Sequence, residues 1–287
     1  MSAPAKKTKT ERIVLSIVFA CFFVYSIGML FPFFWAVISS LKTTDEYMEK
    51  VFALPREWLF SNYIAAFSEF TVSGGQINLI GMLINSLWLT FAGTLVAVLV
   101  STMTAYVIAK YEFRLRGFLY KVAIFTMIIP IVGSLPAMYR LVYTVGLNNP
   151  VGILTLYAGG FGFNFIIMHG YFRSVSMSYA EAGFVDGASD FKAFLLLMLP
   201  QARPAILAVS ILSCIGIWND YMTPLLYLKS APTLALGLYQ FQVVTQFRVN
   251  FPIYFCAVVL SIIPILAVFI VFQKTIMENT VAGGLKG

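Results

Sequence analysis

The chain has 287 residues, 60% of them hydrophobic and 11% charged, with a mean hydropathy of +0.87 and a formal net charge of +7. Soluble domains carry roughly 25% charged residues, so the composition excludes a soluble globular protein. The apolar residues form long continuous runs rather than short alternating segments, which excludes a β-barrel and leaves an all-α polytopic membrane protein.

The N-terminus carries Lys6, Lys7, Lys9 and Arg12 and then a charge-free run from Ile13 to Leu41. That run is too long for the apolar region of a signal peptide, and no small-residue cleavage site follows it. It reads as an uncleaved first span over 13–39. Further spans are predicted at 79–109, 118–139, 151–172, 204–226 and 251–276, six in all. Pro130 and Pro136 in the third and Pro264 in the sixth mark bends, which are tolerated where neighbours satisfy the freed backbone groups. Between the first two spans, the connection 42–78 is solvated by Asp45, Glu46, Glu49 and Glu57, and Ser61–Phe70 has helical spacing. No internal repeat, linker or low-complexity segment appears, so 1–287 reads as a single membrane domain.

Orientation follows from the distribution of Lys and Arg. With the N-terminus inside, 13 of the 19 basic residues fall in the inner segments, including Lys110, Arg114, Arg116, Lys121, Arg173, Lys192 and Arg203. The acidic residues divide evenly, so the excess positive charge faces the cytoplasm. Residues 1–12, 173–203 and 277–287 are then cytoplasmic, as are both termini, and 42–78 is the outer loop. Positive-inside topology and anionic lipid account for the basic pI without nucleic acid.

Cys21, Cys214 and Cys256 all lie in apolar spans with no metal-ligand spacing and read as packing residues. His169, near the end of the fourth span, has no acidic neighbour in sequence to make a proton relay. Asn78, Asn85 and Asn164 either face a passage or bond between helices, the latter being commoner. No phosphate-binding Gly-Lys loop occurs, so ATP hydrolysis is not a function of this chain. No nucleophile–base pair argues for an enzyme.

The most informative polar stretch is Tyr179–Pro204. It opens with Glu181-Ala182-Gly183, continues with Asp186-Gly187 and closes with Leu197, Leu199 and Pro200. A carboxylate at Glu181 suits the first turn of a short helix, with Ser176 and Ser178 as candidate caps. Gly183 and Gly187 would share one smooth face if that helix ran far enough. Phe184, Phe191 and Phe194 would hold the loop to its surroundings. This stretch resembles the coupling loop of the permease subunits of bacterial ABC importers. The family pattern is Glu-Ala-Ala, three residues, Gly, nine residues, an aliphatic residue, one residue, Leu-Pro, and the spacing here is the same. Two positions depart from it: Gly183 stands for the second Ala, and Leu197 for Ile.

The resemblance covers nearly the whole chain and is closest to carbohydrate-importer permeases similar to the smaller maltose-type permease. It rests further on Asn85-Ser86-Leu87, Thr104-Ala105-Tyr106, Trp218-Asn219-Asp220-Tyr221, Thr233-Leu234, Gly237-Leu238 and the tail Gly283–Gly287. It implies a type I ABC importer permease fold in a bacterial inner membrane. Glu181, Ala182, Gly183, Asp186, Gly187, Leu199 and Pro200 would couple to the ATPase. Asn85, Asn164, Trp218, Asn219, Asp220 and Tyr221 would line the substrate pathway. Asp220 has a second reading, as a group that pins neighbouring helices near the membrane edge. The implied partners are a second related permease, two ATPase subunits that carry ATP and Mg, an extracytoplasmic sugar-binding protein and the lipid bilayer. The chain itself would bind no cofactor. A transporter driven by an ion gradient is the alternative; it would want inverted repeats and midmembrane carboxylates, and Asp220 alone is available.

Overall fold

The computed structural model describes residues 8–72, 76–128, 133–244 and 250–284, with side chains as far as 273. Lys6, Lys7, Pro130, Arg248, Lys286 and the side chain of Lys274 lie outside the described residues. The fold is almost wholly helical and divides into two compact units, one of 1–70 with 244–262, the other of 71–243 with 263–287.

In the first unit, α1 (Lys9–Ser40) begins at a capping box. Thr8 Oγ1 accepts from the Glu11 amide, and Glu11 Oε2 accepts from the Thr8 amide at 2.7 Å. This satisfies two otherwise orphaned donors. Nearly every side chain before Phe34 is exposed, as befits a helix that meets lipid or another chain all round. The connection that follows holds α2 (Thr44–Glu49), for which the sequence offered no helical spacing, and α3 (Ser61–Glu69), where helical spacing placed it. Trp35, Tyr47 and Phe255 form an aromatic knot, with ring centroids 5.0 Å apart for Trp35 and Phe255.

Lys42 is fully buried. Its Nζ donates to the carbonyls of Lys50 at 2.9 Å and Val51 at 3.0 Å, so its charge closes the end of α2. Asn62 donates to the carbonyls of Ser40 and Lys42, both at 2.8 Å. Within a connection expected to be solvated, Lys42 is therefore an internal clamp.

In the second unit, strands β1 (Thr71–Val72) and β2 (Ile77–Asn78) pair antiparallel, with Thr71 opposite Asn78. Asn78 caps α4 (Leu79–Lys110), its Oδ1 accepting from the Gly81 amide at 3.0 Å. One face of α4 carries the small residues Ser86, Gly93, Ala97, Ser101 and Ala105, all buried. The other carries Ile84, Phe91, Leu95, Leu99 and Met103, all exposed. Small residues allow backbones in a membrane to approach closely. A Cβ on Gly93 would come within 3.1 Å of Ile217 and 3.3 Å of Tyr157.

Then follow α5 (Arg116–Ile128), α6 (Ser134–Val145), α7 (Leu154–Tyr157) and α8 (Phe163–Ser174). The fourth predicted span is two helices rather than one, and in the third, residues 129–132 lie outside the described residues and α6 starts anew after Gly133, at φ +88°. Gly162, at φ +143°, sits in the break before α8, a backbone region that favours glycine. Next come α9 (Ser178–Val185), α10 (Asp190–Ala193), a π-turn over Phe194–Met198, α11 (Leu199–Gln201) and α12 (Arg203–Trp218). The chain bends by 81° between 190–201 and α12. Pro204 starts α12 where its missing N–H costs nothing. The unit ends with α13 (Met222–Tyr227), α14 (Leu234–Val244) and the later part of α15 (Phe251–Gly284). Among the described residues, three helices (α1, α4 and α15) are long and apolar enough to cross a membrane singly, and a fourth crossing arises if the bent pair around Gln201 counts as one.

Burial lowers the Lys42 pKa from the ordinary lysine value, against the pull of Glu46. The unfolded chain then binds more protons than the folded one just below the usual lysine pKa, so this group makes stability rise with pH in that window. The wild-type chain should gain stability relative to Lys42→Met as pH approaches 10.5, measured as the gap between their thermal unfolding midpoints in detergent. A wild-type midpoint that falls relative to that of Lys42→Met as pH rises would contradict the buried-charge reading.

Candidate functional site: the segment between α8 and α12

Tyr179–Pro204 folds into a short exposed helix on a buried base. The helix is α9, with Glu181 in its first turn and exposed, as expected. Neither serine caps it directly: Met177 is the N-cap, and Ser176 Oγ accepts from the Ser178 amide at 3.2 Å. The helix stops at Val185, so Gly187 does not share a helical face with Gly183. Gly187 instead takes the left-handed conformation, φ +80°. Its amide donates to Phe184 O at 3.0 Å, and the Ala188 amide donates to Gly183 O at 2.8 Å. This pair of bonds is a Schellman ending, which favours glycine at the left-handed position.

Gly183 faces inward rather than toward a partner. It is buried, and a Cβ there would lie 2.4 Å from Leu197 Cδ1. The two positions at which this loop departs from the family pattern are thus neighbours: the missing methyl at 183 makes room for the leucine at 197. The outward face of α9 is Tyr179, Glu181, Ala182 and Val185, and Val185 is 88% exposed. Asp186 and Gly187 are exposed at its end, whereas Leu199 and Pro200 are half-buried below.

The base is apolar and tight. Phe172, Ala180, Ala193, Phe194, Met198 and Ala202 pack with Tyr106 and Ala109 of α4 and with Phe165 and Met168 of α8. Phe194 meets the Tyr106 ring at 4.8 Å. Phe194 and Met198, four residues apart and so on one helical face, turn inward, while Leu195 and Leu196 face out; the stretch is a π-turn, of a kind that recurs at functional sites. Phe184 is half-buried, and Phe191 is exposed. Of the three aromatics expected to hold the loop, Phe194 does so most fully.

Polar bonds fix the same base. Tyr111 donates to Asp190 Oδ1 at 2.7 Å, Tyr171 donates to Gln201 O at 2.6 Å, and Lys110 Nζ donates to Val175 O. Burial first, and then Tyr106 and Asp190 beside it, push the Tyr111 phenol well above its ordinary pKa. It therefore stays protonated and able to donate. Sequence reading missed Asp190 and Tyr111, because their 79-residue separation gives no local signal.

The six proposed pathway residues are mostly tied inside the protein. Asn85 Nδ2 donates to Pro232 O at 3.0 Å, and Asn164 Nδ2 donates to Ser213 Oγ at 2.7 Å. Asp220 accepts from Tyr157 at 2.9 Å and from the Thr223 amide at 3.0 Å, so it pins α7 and α13. Exposed Asn219 bonds back to Ile215 O at 2.8 Å, and Tyr221 stacks on Tyr239 at 4.6 Å. Trp218 is buried and borders an apolar cavity of about 170 Å³ with Thr90, Phe91, Cys214 and Pro264. Asn78 is a helix cap, and His169 packs between Tyr120 at 4.5 Å and Phe165 at 5.6 Å. Asn219, Asp220 and Tyr221 adjoin in the chain, but the six residues do not converge on one another.

These features define a multi-pass helical membrane protein that presents one short, exposed and firmly anchored helix between two of its apolar helices. Residues 97–278 match the family described as "Binding-protein-dependent transport system inner membrane component", and the chain belongs to it. The members of that family are transport permease components, not enzymes. The chain is 29% identical over 278 residues to the diacetylchitobiose uptake system permease of Streptomyces coelicolor, covering 96% of this chain and 90% of that one. It is 33% identical over 212 residues to the maltose/maltodextrin transport system permease of Photorhabdus laumondii, covering 71% of each. In fold it matches a chain from the crystal structure of a bacterial ABC transporter that imports the acidic polysaccharide alginate. That match has a TM-score of 0.80 and 25% identity, and covers 94% of this chain and 99% of the other.

Gly183→Ala should lower stability by about 1 kcal/mol, because Leu197 must leave its packed position. Leu197→Val in the same chain should recover most of that loss. The thermal unfolding midpoints of both variants in detergent check the pair; no recovery in the double variant would show that the two side chains do not compete for space.

Proposed function

We propose that this chain is the membrane-spanning permease subunit of an ATP-driven, binding-protein-dependent sugar importer in a bacterial inner membrane. The observation that carries the reading is the exposed helix Ser178–Val185 set on a buried, hydrogen-bonded base. A helix built to be pushed must show one face and be rigidly held by the other. Glu181 offers a charge on the exposed face, suited to a guanidinium on a partner, and Ala182 and Val185 offer a shallow apolar contact.

In this reading, both termini are cytoplasmic and six spans cross the bilayer. Single helices α1, α4 and α15 make three of them. The pairs α5 with α6 and α7 with α8, and then α12 with α13, make the others. A second related permease completes the pathway, since one such chain has too few spans to enclose it. Two ATPase subunits hold ATP and Mg, and this chain holds no cofactor. An extracytoplasmic protein delivers the sugar. Closure of the ATPase pair would move the docking helix, and the permeases would alternate between outward-open and inward-open arrangements, shifted by differential affinity. The names of the relatives support a sugar: diacetylchitobiose uptake, melibiose/raffinose/stachyose import and maltose/maltodextrin transport. The ion-driven alternative gains nothing, because both oxygens of Asp220 are already engaged.

Glu181→Lys and Gly187→Trp should both insert into the membrane at wild-type levels. Glu181→Lys reverses the charge at the docking face. Gly187→Trp adds bulk beside that face and a strained left-handed backbone. Uptake of radiolabelled oligosaccharides by cells, and substrate-stimulated ATP hydrolysis in proteoliposomes, should each fall at least about tenfold, the loss expected when a contact of about 1.4 kcal/mol is removed. Full uptake in both variants would sink the docking-helix assignment.

A further inference from the structure

The helix α4 has 32 residues, about 48 Å at 1.5 Å per residue. Its two ends carry the polar bonds that link it to other segments of this unit. At the C-terminal end, Tyr111, the residue that caps the helix, donates to Asp190 Oδ1 at 2.7 Å. Asp190 opens α10, directly after the turn that ends α9. At the N-terminal end, Ser86 Oγ accepts from the Leu234 amide at 2.7 Å, and Asn85 Nδ2 donates to Pro232 O at 3.0 Å. Ser86, Thr233 and Leu234 are buried there, so those bonds are shielded from water. Between the two ends, the small-residue face of α4 lies against α8 and α12.

We propose that the Tyr111–Asp190 hydrogen bond is the link through which movement of the docking helix is passed to α4, and that α4 carries it to the segment 232–234. Tyr111 and Asp190 are positioning residues in this scheme. The inference rests on the coupling role proposed above for the segment between α8 and α12. The packing of Phe194 on Tyr106 holds the segment against α4 but is non-directional and tolerates sliding. Two directional bonds join the end of α4 to the segment: Lys110 Nζ to Val175 O, ahead of α9, and Tyr111 to Asp190 Oδ1, beyond it. Only the second reaches the first turn of α10, and its strength depends on distance and angle, so it fixes register on the far side of the docking helix. The apolar hollow of about 300 Å³ beside it, lined by Met103, Val107, Phe191 and Phe194 among others, leaves room for such sliding once the bond is gone.

The test uses the purified importer with its second permease and ATPase subunits, and a nitroxide at Ile84→Cys after the native cysteines are replaced by alanine. Ile84 is exposed near the N-terminal end of α4, one residue from Asn85. The signal is the change in nitroxide mobility when ATP and vanadate are added. In the otherwise wild-type complex the label should respond. In Tyr111→Phe and in Asp190→Ala, the equilibrium between the two mobility states should shift toward the resting one by on the order of tenfold, the worth of a hydrogen bond to a charged group. Complex assembly should be unchanged in both. The double variant should do no worse than either single one. Asp190→Asn keeps an acceptor and should respond like wild type, a rescue that general loosening of the fold would not give. An unchanged response in Tyr111→Phe overturns the link, as does loss in Asp190→Asn equal to that in Asp190→Ala. If the label in the unaltered complex fails to respond to nucleotide, α4 is not driven at all and the importer reading falls with the link. A response there that survives Tyr111→Phe removes only the link.

Discussion

The second unit depends on the close approach of α8 and α12 to a single face of α4. In a bilayer no hydrophobic force drives one apolar helix onto another, so association rests on surface fit and on polar bonds between helices. Ser86, Gly93, Ala97, Ser101 and Ala105 provide the fit by being small. Ser101 turns its hydroxyl back to Ala97 O at 2.6 Å and so presents no unpaired group to its neighbours. With that face closed, the opposite face of α4, with Ile84, Phe91, Leu95, Leu99 and Met103, points outward, where lipid or a second chain can cover it. The same close packing turns α4 from one helix among many into a strut between the docking segment and the 232–234 segment.

The docking segment has to be firm beneath and open above, and its residues divide accordingly. Aromatic and small apolar side chains fill the base, while three polar side chains bond it to backbone carbonyls and a carboxylate. The left-handed Gly187 ends α9 abruptly after Val185. A longer helix would have carried the chain past the turn and displaced Asp190 from Tyr111. The π-turn over 194–198 then buries Phe194 and Met198 and leads through α11 to the 81° bend into α12.

How much of this was legible in the sequence varied with range. The apolar runs that became α1, α4 and α15 were plain, because a charge-free stretch of membrane length has few other fates. Helix α3 followed from its spacing, and the short helix with Glu181 in its first turn followed from residues close together in the chain; its end at Val185 and the left-handed Gly187 did not, since the spacing of Gly183 and Gly187 suggested one continuous helical face. Contacts made by residues far apart were not legible. Nothing near Lys42 in sequence says that it turns inward to the carbonyls of residues 50 and 51. The break within the fourth span depends on how the flanking halves pack, and glycines alone do not fix that. The pairing of Gly183 with Leu197 was visible only as two unrelated departures from a pattern, until the structure placed them in contact.

Asp220 shows why residue type alone misleads at a membrane site. A carboxylate beside an indole and an amide is the set of groups that would recognise a sugar, and the sequence Trp218–Tyr221 presents all three in a row. The backbone sends them in different directions. Trp218 turns inward, Asn219 folds back on its own helix, and Asp220 takes one bond from Tyr157 and one from the Thr223 amide. An ionised group held within a membrane protein is stable only when its acceptors are filled, and here a phenol and a backbone amide fill them. The motif therefore ties the end of α7 to the start of α13 just after α12, so in this chain its carboxylate serves the packing of helices.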